Sequence, residues 1–196
     1  MTGRIAAACW TLGGAVYLAF EAIAAAAFPG YRYDTNFISD LGRPDSPLSP
    51  LMNTAFAVQG TLFLAAAVAL TRTRRGPGSR VFVACAAANA VGNVGVAMVP
   101  SGGAGIAWVH VTAATVAIVG GNAAILAGYR LVSESRWYRT ASVGIAAVGF
   151  LAFALLAVGA VTASTTVVLP GAVWERTCVY TIIGWQLLAA LRLLRR

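Results

Sequence analysis

One histidine, six carboxylates and fourteen arginines are nearly all the ionisable chemistry available to this chain of 196 residues. Six side chains among its polar residues have types that suggest a site: Glu21, Ser39, Asp40, His110, Glu175 and Arg176. Two kinds of chemistry suit them. In the first, His110 acts as general acid or base, Asp40 or Glu175 orients it, and Arg176 steadies developing negative charge. Ser39 is the one nucleophile worth naming there, and a weak one without a known geometry. In the second the same groups bind rather than react. Arg176 then holds an anionic head group while apolar helix faces hold a tail.

Blander readings stand beside both. Asp34, Asp40 and Asp45 read as solvated loop acids, and Ser39-Asp40-Leu41-Gly42 as a turn or helix end. His110, next to Trp108 in the sequence, fits an aromatic belt at a membrane interface. Glu175-Arg176 fits an interfacial anchor. Glu21 is the hardest to dismiss, because an acid inside an apolar run is a functional candidate by default. Burial disfavours its charged form.

The elements that must position these groups follow from composition. Hydrophobic residues make up 59% of the chain and charged residues 10%, against roughly 25% charge in a soluble domain. A water-facing surface cannot be built from that inventory. A membrane-spanning helix needs about 20 mostly apolar residues, and six such segments occur, near 5–27, 51–70, 81–99, 106–129, 141–161 and 173–193. Turn residues separate them: Phe28-Pro29-Gly30, then Pro44, Pro47 and Pro50, then Gly76-Pro77-Gly78, Pro100-Ser101-Gly102-Gly103 and Pro170-Gly171. The expected fold is all-α, a single transmembrane domain over 1–196 built as a six-helix integral membrane bundle. The first segment also raises the question of a cleaved signal peptide. Its apolar run exceeds the usual length and Glu21 interrupts it, so a retained helix is expected.

No residue is a lysine, so charge placement rests on arginine. Arg4, Arg72, Arg74, Arg75, Arg80, Arg130, Arg136, Arg139, Arg192, Arg195 and Arg196 fall on one side of the expected membrane; only Arg32, Arg43 and Arg176 fall on the other. The positive-inside rule then predicts cytoplasmic N- and C-termini in the cell membrane. All six candidate site residues lie toward the outer face, with Glu21 about 9 Å inside the end of the first helix at ~1.5 Å per residue. Glu175 and Arg176 are adjacent, and adjacent helical residues do not face one another, so each needs a partner elsewhere. Arg176 is expected to pair with Asp40 or Glu21, and Glu175 to accept a hydrogen bond from His110.

Several functions drop out. Without lysine there is no retinal or pyridoxal Schiff base and no Walker A phosphate loop. One histidine excludes bis-histidine haem. The net charge of +8 comes without a basic stripe interleaved with aromatics, so no nucleic acid is expected. Cys9, Cys85 and Cys178 show neither CxxC nor zinc spacing. A distant likeness to zinc-dependent membrane hydrolases fails on histidine count, and zinc favours N and S ligands over carboxylates. No metal and no cofactor is expected, and the expected partners are membrane lipid and an amphiphilic ligand.

Ala- and Gly-rich helices suggest close backbone approach without heavy aromatic packing inside, with Ala114, Ala117, Gly121, Ala124 and Gly128 on roughly one face of the fourth helix. Cys85, Asn89 and Asn93 form a polar line on the third, which Asn122 is expected to meet.

The order of features resembles the prokaryotic membrane proteins grouped as domain of unknown function 998. The resembling residues are Ile38-Ser39-Asp40-Leu41-Gly42 in the first outer loop, Leu51-Met52-Asn53 opening helix 2, and Pro100 closing helix 3. They continue with His110 early in helix 4, Gly171 with Glu175-Arg176 leading helix 6, and Trp185 further along. The resemblance covers nearly the whole chain and implies a compact bundle of about six helices. It carries no established activity. The residues therefore leave four readings open: a lipid- or amphiphile-handling protein, a membrane enzyme using His110, proton-coupled transport through Glu21, or an accessory subunit of a membrane complex.

Overall fold

The computed structural model describes residues 2–102 and 106–195. Gly103 of the fourth turn signal and Arg196 of the terminal arginine group lie outside the described residues. Among the described residues six helices are long and apolar enough to cross a membrane: α1 (Thr2–Ala27), α2 (Ser49–Thr73), α3 (Ser79–Met98), α4 (Ala107–Val132), α5 (Arg136–Thr162) and α6 (Gly171–Leu194). In lipid every backbone N–H and C=O must be satisfied within the segment, and a helix does this alone.

Most helices run past the apolar limits that the sequence suggests. Helix α2 starts at Ser49, with Pro50 in its first turn, and continues beyond Leu70 to Thr73. Helix α5 starts at Arg136 rather than near 141. Hydropathy marks only the part of a helix that meets lipid, whereas the hydrogen-bond ladder continues until a cap or turn stops it. Among the described residues the connections hold a hairpin between α5 and α6, pairing β1 (Thr166–Val167) with β2 (Leu169–Pro170), and a short 3-10 helix, Ile38–Gly42, in the loop after α1.

The helices pack in chain order, α1 on α2, α2 on α3, α3 on α4, α4 on α5 and α5 on α6, and α6 closes back onto α1 while also touching α4. The tightest seam joins α3 and α4. A Cβ on Gly92 would lie 2.4 Å from the Ala117 nitrogen and 2.5 Å from the Ala113 oxygen; one on Gly120 would lie 2.8 Å from the Asn89 nitrogen. Each helix thus offers a glycine where the other's backbone comes closest. Helix α5 is the opposite case. Its buried residues Tyr138, Ser142, Ala146, Gly149 and Ala152 form a single stripe, and much of the rest of its circumference is exposed.

Aromatic packing inside the bundle is heavier than expected. Trp10, Phe63, Phe82 and Trp185 are fully buried. Trp10 and Trp185 meet edge to face at 5.3 Å, and Phe63 and Phe82 each lie 6.4 Å from the Trp185 ring. The rings come from four helices, so no single segment looks aromatic. A glycine makes room for one of them: a Cβ on Gly128 would strike the Phe82 ring at 2.4 Å.

Buried amides also pair differently from the expectation. Asn89 donates to the Ala117 carbonyl at 2.8 Å and Asn93 to the Asn89 carbonyl at 2.9 Å. Asn122 does not join them. It donates to the Cys178 carbonyl at 3.2 Å and accepts from Thr181 at 3.0 Å, both on α6. Gly121 is the residue that faces Asn89, and the next residue is rotated by about 100°. The sequence reading also passed over a buried amide pair, Gln59 donating to Gln186 at 2.7 Å.

Candidate functional site

At the end of the bundle away from the arginine-rich connections, the α1–α2 loop folds over the mouths of α1 and α6. Its segment 31–42 acts as a strap. A polar cluster lies directly beneath it, and each member is held by an identifiable need.

Glu21 and Arg176 are both buried, and their Oε1 and Nε atoms are 3.6 Å apart. The Tyr180 hydroxyl is 2.9 Å from both Glu21 oxygens and donates to them. Tyr180 stands four residues after Arg176, one turn along the same face of α6. Arg176 Nη1 donates to the Asn36 carbonyl at 2.6 Å and the Ala172 carbonyl at 3.3 Å, and Nη2 donates to the Tyr31 hydroxyl. The Tyr31 hydroxyl in turn donates to the Phe37 carbonyl at 2.9 Å. Burial pushes this phenol well above its ordinary value, so it remains a neutral donor. The guanidinium carbon also sits 4.9 Å from the Tyr33 ring centroid and 5.6 Å from that of Tyr31, within cation–π range.

Glu175 points to a different part of the strap. One of its carboxylate oxygens accepts the Ile38 backbone N–H. Adjacent residues of α6 therefore fasten the strap at two points, Asn36 and Ile38. The expected hydrogen bond from His110 to Glu175 is not made. His110 Nδ1 instead lies 2.7 Å from the Val99 carbonyl. Val99 caps the C-terminus of α3, where carbonyls have no helical partner, and His110 in the first turn of α4 supplies the donor. A carbonyl can only accept, so Nδ1 carries the hydrogen, and in the neutral ring Nε2 is an acceptor.

Asp40 does not pair with Arg176. It accepts the Phe37 N–H at 2.8 Å, closing the 3-10 helix, and lies 3.8 Å from Arg43. The Ser39 carbonyl accepts from Ser101 at 3.1 Å. Asp34 and Asp45 sit in exposed pairs with Arg32 and Arg43, and the hydrogen bond from Arg32 holds the Asp34 carboxyl below its usual range. Water screens exposed pairs of this kind, and they add little to stability.

Two spaces border the cluster. A cavity of about 40 Å³ is lined by Tyr17, Ser39, Asn93, His110 and Glu175 among others. His110 and Glu175 thus share an enclosure without touching through a hydrogen bond. A water needs ~10–15 Å³ of such volume, so the cavity suits a few waters and is too small for a head group. On the other side of the strap a groove of about 500 Å³ runs between α5 and α6. Phe37, Leu155, Leu156 and Trp174 line it, together with the hydroxyl-bearing Thr35 and Thr166. Trp174 Nε1 donates to the Val167 carbonyl at 2.8 Å and props the hairpin that closes one side.

The arrangement brings Glu21, Arg176 and Glu175 under one strap and sets His110 across the small cavity from it. It leaves Asp40 and Ser39 in the strap's own backbone. Sequence reasoning missed Tyr31, Tyr33, Asn36 and Tyr180. Only Tyr180 had a readable signal, its one-turn spacing from Arg176. Among the described residues no three of His, Cys, Asp and Glu gather closely enough to hold a metal ion.

Six apolar helices with an extramembrane loop clamped over buried charge define a multi-pass α-helical membrane protein. The chain belongs to the family described as Protein of unknown function (DUF998), whose profile matches residues 11–192 and so contains every residue of the cluster. No curated protein matches the chain, and no solved structure does.

Proposed function

We propose that this membrane protein holds an amphiphile at the strapped end of the bundle, with both termini cytoplasmic and that end facing outward from the cell membrane. The observation that carries the reading is the groove between α5 and α6. Its volume falls within the ~300–1,000 Å³ of ligand pockets. Its lining is largely apolar with hydroxyls from Thr35 and Thr166, and Ala172, whose carbonyl accepts from Arg176, ties it to the Glu21–Arg176 pair. The tail occupies the space beside Leu155, Leu156 and Trp174, and the head group lies at Thr35 and Thr166.

Arg176 takes a different part from the one its type suggests. Its hydrogen bonds already go to Asn36, Ala172 and Tyr31, so it fastens the strap that forms one side of the groove. Mass spectrometry of lipids extracted from the purified protein provides the test. The expected result is an amphiphile enriched over bulk membrane lipid and depleted at least fivefold in Leu156→Trp, which fills the groove. Equal lipid content in a folded Leu156→Trp protein sinks the reading.

A second reading, an enzyme acting on a lipid or isoprenoid substrate, draws support from His110 and Glu175 lining one cavity with a free imidazole acceptor. It requires His110→Gln, which retains a side-chain donor for Val99, to abolish complementation of a deletion phenotype. Full complementation by that variant removes it.

A further inference from the structure

Two adjoining clefts indent the arginine-rich end, and Arg130 lines both. The larger, about 560 Å³, is lined by Arg74, Arg75, Pro77, Arg130, Leu131 and Glu134. The smaller, about 290 Å³, is lined by Tyr129, Arg130, Arg139, Thr140 and Val143. Arg74 is committed to structure: its Nη1 donates to the Leu131 and Val132 carbonyls at 3.0 and 3.1 Å, tying the α2–α3 loop to the end of α4. Arg130 is steered by Tyr129, donating to its hydroxyl at 3.1 Å and lying 5.7 Å from its ring centroid.

Arg75, Arg130 and Arg139 are exposed. Among the described residues none of the three is in a salt bridge, although Glu134 lines the larger cleft. The positive-inside rule accounts for arginine at this end. It does not account for three exposed guanidinium groups without a salt bridge arranged around two hollows, with one of them shared. That arrangement matches an anion with two charged groups a cleft apart. The walls add an apolar side, since Leu131 borders one cleft and the half-exposed Val143 the other.

We propose that these clefts bind an anionic phospholipid whose head group carries two phosphates. Arg130 sits between the phosphates, Arg75 serves one and Arg139 the other, and the acyl chains run along α4 and α5 past Val143. A guanidinium fork matches phosphate oxygens in pairs, and basic pockets at helix ends suit such head groups. The site lies at the opposite end of the bundle from the amphiphile groove and stands without it.

Native mass spectrometry of the full chain in detergent provides the test. Cardiolipin, phosphatidylglycerol and phosphatidylcholine are titrated in turn. Wild type is expected to bind cardiolipin at least tenfold more tightly than phosphatidylglycerol. Arg75→Gln/Arg130→Gln/Arg139→Gln should lose that preference, Arg139→Gln alone should lose part of it, and Arg32→Gln/Arg43→Gln at the other end should keep it. Equal binding of the two anionic lipids by wild type, or an unchanged preference in the triple variant, overturns the proposal. A competition arm adds millimolar pyrophosphate. Cardiolipin should remain bound; complete displacement would assign the clefts to a soluble diphosphate and overturn the lipid assignment.

Discussion

Arg176 illustrates what a charge needs in order to reside in an apolar helix. A charge at a helix centre costs roughly 2.5–3.5 kcal/mol on insertion scales. Here two carbonyls, a phenol, a carboxylate and two aromatic faces surround the guanidinium. Breaking such a pair from one side leaves an uncompensated group. In a double-mutant cycle of Glu21→Gln and Arg176→Met, the coupling measured by unfolding in mixed detergent should be about 0.5–3 kcal/mol, and additivity would show that the two do not work as a unit. Glu175→Ala removes the acceptor of the Ile38 N–H. Hydrogen exchange at Ile38 should accelerate by the equivalent of about 1–3 kcal/mol, while Glu175→Gln, which keeps an acceptor oxygen, should preserve most of the protection. This part of the site was half legible. Glu175 and Arg176 announce themselves as adjacent charges at the start of an apolar segment. Tyr31, Tyr33 and Asn36 do not, because an irregular loop has no period from which its facing can be read.

Elements obey simpler rules, and the six helices could be read directly from apolar run length and turn residues. Their mutual arrangement could not. The Gly92–Gly120 interlock of α3 with α4 depends on which of the chain's 21 glycines meets a neighbour, and composition treats them alike. Gly92→Leu should cost about 1–3 kcal/mol or more from overpacking. By contrast Gly144→Ala, where a Cβ meets nothing within 4 Å, should gain about 0.8–1.0 kcal/mol from helix propensity if that site is free of other constraints. Thermal unfolding of both in the same detergent decides the point: similar shifts for the two would remove the claim that α3 and α4 meet through that glycine. The aromatic knot around Trp185 was hidden for a related reason. Each of its helices contributes one ring, and only the assembled bundle has an aromatic interior.

At the scale of the whole molecule, charge separates the two ends. Among the described residues, exposed Arg75, Arg130 and Arg139 gather at one without a salt bridge, while at the other Arg32, Arg43 and Arg176 each have a carboxylate within 4 Å. If the positive-inside rule governs insertion, a membrane-impermeant maleimide on intact cells should label Thr35→Cys and spare Glu134→Cys in a background lacking Cys9, Cys85 and Cys178. The reverse pattern would invert the orientation and place the groove on the cytoplasmic side.

The narrow footing of α5 bears on how anything enters that groove. Tyr138, Ser142, Ala146, Gly149 and Ala152 are its only buried residues, three of them with little or no side chain, so tilting its outer half away uncovers little surface. What it uncovers meets hydrocarbon rather than water, where small apolar groups lose no hydrophobic stabilisation. Helix α6 is held by α1, α4 and the strap as well as by α5. If the groove holds an amphiphile as proposed, entry through the α5–α6 seam predicts that a tether between cysteines replacing Leu156 and Trp174, which both line it, blocks loading.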